Sequence, residues 1–238
     1  MISKFTTIKK EYYLQTEKYI CNKFGLAEFL TDNLDVVEIE PSSRVLDVGC
    51  GAGPLGIYFA EQFNCLVKGV ELNPIAYQCC EKNIIKYSLK DKFFVYHDDF
   101  SKYILKNSDD IFDLIVANPP IDSNVPIALI EKYNNSSFEV LNDESFSYLT
   151  NSWHSIDGYD LLDYIFIYGQ KTLSINGRIL LVVCLLDCET INYVVERGQQ
   201  YSFVPATLKQ GYILPESIGA ESITTEPIST YLIEFVRR

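Results

Sequence analysis

Apolar residues fall in short runs, and their spacing alternates along the chain. Val45, Leu46 and Val48 make a brief strand-like run, and Ile57-Tyr58-Phe59-Ala60 reads as a helix. The alternation then repeats. Cys65 to Val70 predicts a strand and Pro74 to about Ser88 a helix. Phe93 to Tyr96 predicts a strand, with a helix from about Ser101, and Ile111 to Ala117 a further strand. Beyond these lie a helix to about Leu173, an unbroken apolar strand from Arg178 to Leu186, and a helix near Glu189 to Glu196. Tyr201 to Leu214 and Ser229 to Val236 read as two last strands. Alternating strands and helices predict an α/β fold with a doubly wound, Rossmann-like, mostly parallel sheet.

Before the first of these strands, residues 7–24 read as a helix with Tyr13, Ile20 and Phe24 on one face. Such a helix covers one side of the sheet or closes as a lid over the ligand crevice. A second helix runs from about Leu26 to Val37, and Pro41-Ser42-Ser43 breaks the chain. The expected organisation is a short N-terminal helical segment over residues 1–40 and the α/β domain over 41–238.

Between the Val45–Val48 strand and its helix lies Gly49-Cys50-Gly51-Ala52-Gly53-Pro54-Leu55-Gly56. Glycines here permit positive φ and let backbone approach a ligand, and the helix start adds free N–H groups. Gly51 to Gly56 matches the G-x-G-x-x-G dinucleotide pattern literally, a weak signal alone. Asp47, inside the strand, argues for a different ligand: a carboxylate there repels a pyrophosphate and suits an ammonium and a sulfonium. Glu71 ends the second strand about 20 residues on, where nucleoside binders place an acid on ribose hydroxyls. Asp98 and Asp99 end the third strand; one acid suits an adenine amino group, and either can cap the next helix. The fourth strand runs into Asn118-Pro119-Pro120-Ile121. Consecutive prolines present carbonyls without N–H donors. The Asn118 side-chain oxygen and the Pro119 carbonyl can therefore accept both hydrogens of an amino group.

The stretch from Arg44 to Gly56 resembles motif I of the class I S-adenosylmethionine (SAM) methyltransferases. With Glu71, Asp98 and Asn118-Pro119-Pro120 added, the set resembles the amino-methyltransferases of that class, which methylate planar or exocyclic nitrogens. Residues 25–121 are similar to the small methyltransferase domain shared by ribosomal-RNA and release-factor enzymes. The order Asn-Pro-Pro, a 30–40-residue segment, Asp157-Gly158, helix, Asn176-Gly177 and apolar strand resembles the release-factor glutamine methyltransferases. Only about 40 residues precede the first strand, which leaves no room for the recognition domain of those enzymes. The resemblance covers about residues 25–185 and implies a seven-stranded sheet with one antiparallel strand. It implies SAM as cofactor and S-adenosylhomocysteine as product. Cofactor contacts are expected from Asp47, Gly49, Cys50, Gly51, Gly53, Glu71, Leu72, Asp98, Asp99 and Asn118. Asn118, Pro119, Pro120 and Ile121 form the expected catalytic set, with no metal. One departure stands out: the family usually has an aromatic residue where this chain has Ile121. A branched aliphatic presses on a flat group but gives no π-stacking.

The totals refine this picture. At 238 residues and 47% apolar, the chain can bury one full core. The seven cysteines lack a C-x-x-C pair, so they read as reduced cytosolic thiols packed as small hydrophobes. The start shows no signal-peptide pattern, and the longest apolar run, Ile179 to Leu186, is far short of the ~20 residues a membrane helix needs. The expected setting is cytoplasmic, without a membrane; nothing sets the oligomeric state. The formal net charge of −12 opposes non-specific nucleic-acid binding, because phosphate contacts need Lys and Arg.

The expected activity is a SAM-dependent N-methyltransferase. Charge and Ile121 point to a small-molecule or peptide-like amine or amide acceptor. A protein glutamine, or an RNA or DNA adenine, are the alternatives. A SAM-binding interaction module without turnover is the reading from another class, and a dehydrogenase a more distant one. Residues 122–156, rich in Asn and Ser, are expected to shape the acceptor pocket, with Trp153 and His154 as loop packing or acceptor contacts.

Overall fold

A computed structural model describes residues 1–17, 23–118, 161–185, 189–217 and 225–238. The chain opens with two strands, β1 (Ile2–Thr6) and β2 (Glu11–Gln15), paired antiparallel with Phe5 opposite Tyr12. Helix α1 (Gly25–Asp32) and a single 3-10 turn (Leu34–Val36) follow. Then come β3 (Arg44–Val48), α2 (Pro54–Gln62), β4 (Leu66–Glu71), α3 (Pro74–Lys86), β5 (Phe93–His97), α4 (Phe100–Lys106) and β6 (Phe112–Ala117). The chain ends with α5 (Leu161–Thr172), β7 (Leu173–Leu185), α6 (Glu189–Gln200), β8 (Phe203–Ile213) and β9 (Ile228–Arg237).

Seven strands form one sheet in the order β5-β4-β3-β6-β7-β9-β8. All pairs from β5 to β7 are parallel, and β9 lies antiparallel between β7 and β8. The expected doubly wound sheet with one antiparallel strand is present. Its strands are apolar at successive positions because both faces are covered. Val45, Val67, Leu114, Val116, Leu180 and Val182 pack with α1, α2, α3 and the hairpin. Their neighbours Leu46, Val70, Ile115, Ile179, Leu181 and Val183 pack with α4, α5 and α6. Phe59 and Phe166, each fully buried, anchor the two layers. Truncating such a side chain to Ala costs ~3–5 kcal/mol.

Two local differences from the sequence reading have clear causes. Residues 11–15, expected inside a helix over 7–24, form β2 instead; among the described residues of the N-terminal segment the helical ones are 25–32 and 34–36, and residues 18–22 of the expected helix lie outside the described residues. Tyr12 and Leu14 point into the core while Tyr13 stays 49% exposed, a period of two. The turn between the strands carries no glycine, proline or asparagine. Thr7 closes it: its N–H and hydroxyl both donate to the Lys10 carbonyl, at 2.9 and 2.8 Å, and its Oγ1 accepts the Lys10 N–H at 3.0 Å. β7 also starts earlier than Arg178. Leu173 pairs with Phe112 and Arg178 with Leu114, so the residues between, including Asn176-Gly177, bulge from the ladder.

Candidate active site

The strand order reverses at β3. Chain leaving β3 at Gly49 and chain leaving β6 at Asn118 emerge side by side, because Val48 lies opposite Ala117. Open α/β sheets bind ligands at this reversal, outside the carboxyl ends of the strands. A shallow depression of ≈ 800 Å³ lined by Glu38, Pro41, Asp113 and Arg178 lies at the opposite, amino-end rim.

The glycine loop is held by its own backbone. The N–H groups of Gly49 and Cys50 donate to the Val70 carbonyl at 2.9 and 3.2 Å, and Gly53 N–H donates to the Cys50 carbonyl at 2.9 Å. Gly49, Gly51 and Gly53 have φ of 69°, 57° and 86°, which L side chains rarely adopt. Their surroundings differ. Among the described residues, a Cβ on Gly49 or Gly51 would meet nothing within 4 Å, whereas on Gly53 it would lie 2.7 Å from Cys80 Sγ. Gly53 thus lets the loop pack down, and Gly49 and Gly51 keep open space above it. Cys50 turns its side chain inward; a side-chain hydrogen bond with Cys80 and burial hold its thiol well above the usual range.

Two acids lie beneath the loop. Asp47, 2% exposed, accepts the Gly56 N–H at 3.0 Å and so ties β3 to the first turn of α2. Burial pushes its carboxyl up to about 7; the Gly56 N–H pulls it down and the charge of Glu71 raises it. Glu71 accepts Gly51 N–H at 2.8 Å through Oε2 and Asn73 N–H at 2.7 Å through Oε1. Burial raises this carboxyl too, against the N–H groups of Asn73, Gly51 and Leu72. Leu72 is half-buried, with its carbonyl 3.1 Å from His97 Nε2, and the His97 ring stacks on Tyr77.

The two aspartates after β5 divide their work. Asp99 is the N-cap of α4: its Oδ1 accepts the Ser101 N–H at 2.8 Å and the Ser101 hydroxyl at 2.6 Å. Asp98 accepts the Asp99 N–H at 3.0 Å and pairs with Lys106 at 2.5 Å. Asn118 is exposed at the end of β6. Pro119, Pro120, Ile121 and the stretch through Asp157-Gly158 lie outside the described residues.

The sequence reading missed Asn83. It is fully buried on α3, its Oδ1 accepts Gln15 N–H at 2.6 Å, and its Nδ2 donates to the carbonyls of Gln15 at 3.0 Å and Ala52 at 2.9 Å. The signal was available. The buried stripe of α3 runs Ala76, Cys79, Cys80, Asn83, Ile84, and an amide on such a stripe needs partners.

Residues 26–144 match the model of the methyltransferase small domain family, half of the 238-residue chain. The chain belongs to that family. Its fold agrees. A SAM-dependent methyltransferase from Thiobacillus denitrificans, solved with S-adenosylhomocysteine, superposes with a TM-score of 0.56 at 13% identity, covering 90% of this chain and 91% of that one. TrmN from Thermus thermophilus gives 0.54 at 13%, covering 86% and 47%. Among curated relatives, the tRNA1(Val) (adenine(37)-N6)-methyltransferase of Haemophilus influenzae is 35% identical over 85 residues, 35% of this chain and 36% of its own. Its Bacteroides fragilis counterpart is 33% identical over 82 residues, 34% and 35%. The chain thus spans about a third of the length of the curated relatives it matches.

Membership in this family makes SAM the cofactor, and the crevice fits it. Among the described residues the space over Gly49 and Gly51 is open to a ligand, and the buried Asp47 and half-buried Glu71 below favour a cationic one over a pyrophosphate. The expectation of a small-molecule or peptide-like acceptor, with nucleic acid opposed by acidity, is corrected by the relatives, whose names give a tRNA adenine as acceptor. Net charge failed as a guide because it sums the whole chain, while phosphate contacts need only a local group of ammonium or guanidinium side chains. Among the described residues no helix is long and apolar enough to cross a membrane, and no cluster of three metal-ligating side chains occurs.

Proposed function

We propose that this chain is a SAM-dependent N-methyltransferase acting on the exocyclic amino group of an adenine in RNA, with tRNA as the substrate class. The observation that carries the reading is Asn118. It stands exposed at the end of β6, beside the glycine loop, and Asn-Pro-Pro continues from it in sequence. Around it are the matched relatives with the same acceptor in their names.

SAM, when bound, supplies an electrophilic methyl group on a sulfonium. The chain's own residues supply position. Glu71 has two oxygens fixed by backbone N–H groups, and their remaining lone pairs suit a vicinal diol such as a ribose. Asp98, just past β5, is the acid we assign to an adenine amino group on the cofactor, and Asp99 next to it caps α4. Asp47 contributes negative charge below the loop, suited to an ammonium. Asn118 accepts a hydrogen of the acceptor amine through its side-chain oxygen, with the Pro119 carbonyl as its partner, so the nitrogen lone pair faces the crevice. Alignment of this kind accounts for a large share of rate enhancement in two-substrate reactions, and a fixed acceptor dipole stabilises positive charge developing on the nitrogen. Pro120 and Ile121, which lie outside the described residues, complete the proposed catalytic set from the sequence alone.

Purified protein incubated with bulk tRNA and methyl-labelled SAM, followed by digestion to nucleosides, tests this. Label in N6-methyladenosine is expected. Label in another nucleoside, or none in RNA, removes the reading.

A further inference from the structure

The lysines of this acidic chain are unevenly spread. Residues 1–23 hold five lysines and two acids, and residues 82–92 hold four lysines and one acid. The rest of the chain has 11 basic and 29 acidic residues. The fold brings these two stretches together. Tyr13 N–H donates to the Tyr87 hydroxyl at 2.7 Å, and Lys86 Nζ donates to the Tyr13 carbonyl. Tyr12 and Tyr87 pack ring to ring at 5.6 Å. Lys4 lies across the hairpin from Tyr13.

Most of the hairpin ammonium groups have partners: Lys4 pairs with Glu11 and Lys10 with Glu61, and Lys9 lies over the Phe63 ring. On the α3 side the balance differs. Among the described residues, no carboxylate pairs with Lys82, Lys86, Lys90 or Lys92. Lys82, Lys86 and Lys90 are exposed, and Tyr13, in contact with Lys86 and Tyr87, is 49% exposed. Ammoniums without a carboxylate partner, beside an accessible aromatic ring, suit a sugar–phosphate backbone and an unstacked base. This face is also fixed relative to the crevice, since Asn83 on the same helix holds both Gln15 of the hairpin and Ala52 of the glycine loop.

We infer that the hairpin, the C-terminal half of α3 and the connection from α3 to β5 form a docking face for the phosphate backbone of an RNA, through Lys82 and Lys86 on the helix and Lys90 and Lys92 after it, with Tyr13 at its edge. The inference rests on the RNA-acceptor reading above and adds where the RNA lies outside the crevice. It explains how a chain of net charge −12 takes a polyanion: one flank is basic, and the acidity is concentrated elsewhere.

The test is the Lys82→Glu/Lys90→Glu pair, with Lys82→Gln/Lys90→Gln as a milder version and Lys171→Glu on α5, across the sheet, as control. Binding of bulk tRNA is measured over a salt series, together with S-adenosylhomocysteine affinity. The Glu pair is expected to weaken tRNA binding about ten-fold or more near 0.1 M salt and to flatten the log–log salt slope by about one to two. The Gln pair does so less, and the control leaves both unchanged. Retained S-adenosylhomocysteine affinity shows that the variants fold. Wild-type-like tRNA binding by the Glu pair overturns the docking face while leaving the RNA-acceptor reading in place. Failure of the wild type to bind tRNA, or its preference for anionic phospholipid vesicles over tRNA, overturns both.

Discussion

The side-chain amide of Asn83 donates to the Ala52 carbonyl at 2.9 Å, so a residue in the third turn of α3 holds the middle of the glycine loop. The same side chain accepts from and donates to the backbone of Gln15, and all of it is buried. Asn83→Ala would leave three backbone groups without their partner. Each buried unsatisfied group costs ~1–3 kcal/mol, so a loss of about 3 kcal/mol or more in urea unfolding is expected. Ile84→Ala, at a neighbouring core position, is the control: it lowers stability but leaves the affinity of the folded protein for S-adenosylhomocysteine unchanged. Asn83→Ala should weaken that affinity as well. Equal affinity in the two variants would show that Asn83 is structural only.

Gly51 and Gly53 provide a paired comparison. Both have positive φ, so an Ala at either costs ~1–2 kcal/mol in backbone strain. Gly53→Ala adds a clash with Cys80 and should be the less stable protein. Gly51→Ala projects its methyl into open space and should fold, yet lose about ten-fold or more in S-adenosylhomocysteine affinity because that space is where the ligand goes. Calorimetry on both variants decides it. Undiminished affinity in Gly51→Ala would move the ligand off the loop.

Asp47 makes a pH prediction of definite sign. Its carboxyl in the fold sits at about 7, against an ordinary value of 3.8. The folded state therefore holds a proton that the unfolded state has released. The stabilising contribution is present below about pH 4, is lost as pH rises towards 7, and is constant above. The span corresponds to a loss on the order of 4 kcal/mol. The raised carboxyl of Glu71 acts in the same direction. Asp47→Asn, which keeps an oxygen for the Gly56 N–H, should flatten the stability profile between pH 4 and 7. SAM, with its sulfonium and ammonium, prefers the ionised form, so SAM should bind more tightly as pH rises through 7, with proton release. An unchanged profile in Asp47→Asn would assign the effect to another group.

The parts of the fold that were legible in the sequence are those where one physical signal dominates. Ile179 to Val183 are buried on both faces, which favours an unbroken apolar run, and in Val45 to Val48 the one polar residue is Asp47, whose carboxyl is hydrogen-bonded to the Gly56 N–H. The left-handed conformations at Gly49, Gly51 and Gly53 leave glycine as the natural choice. The hairpin was illegible because Thr7, with no glycine or asparagine, closes its turn, and five residues of alternation are too few to outweigh helical spacing elsewhere in the segment. Asp98 and Asp99 were indistinguishable as adjacent acids, and only the hydrogen bonds to Ser101 assign the cap. The acceptor was misjudged because a summed charge carries no positions, and the grouping of lysines appears only once the hairpin is seen against α3.

Asn118 bears the greatest weight in the proposed chemistry, and its exposure makes it a clean site to change. It is exposed at the end of β6, so Asn118→Ala should alter stability by no more than about 0.5 kcal/mol. Cofactor affinity should change little, because Glu71 and the loop are untouched. Turnover on tRNA should fall by about 10² or more, the usual scale for removing one oriented dipole at the reacting atoms. Loss of activity in the Ala variant alone does not separate a missing hydrogen-bond acceptor from a collapsed pocket wall. Asn118→Asp makes that separation, since a carboxylate fills nearly the same volume and still accepts from an amino group. It should therefore retain more turnover than Asn118→Ala. Single-turnover methylation, with both variants saturated in SAM, reads the difference directly. If the Asp and Ala variants are equally inactive, or the Ala variant is as active as the parent, the amine is not held by Asn118, and the alignment proposed for the acceptor nitrogen is wrong.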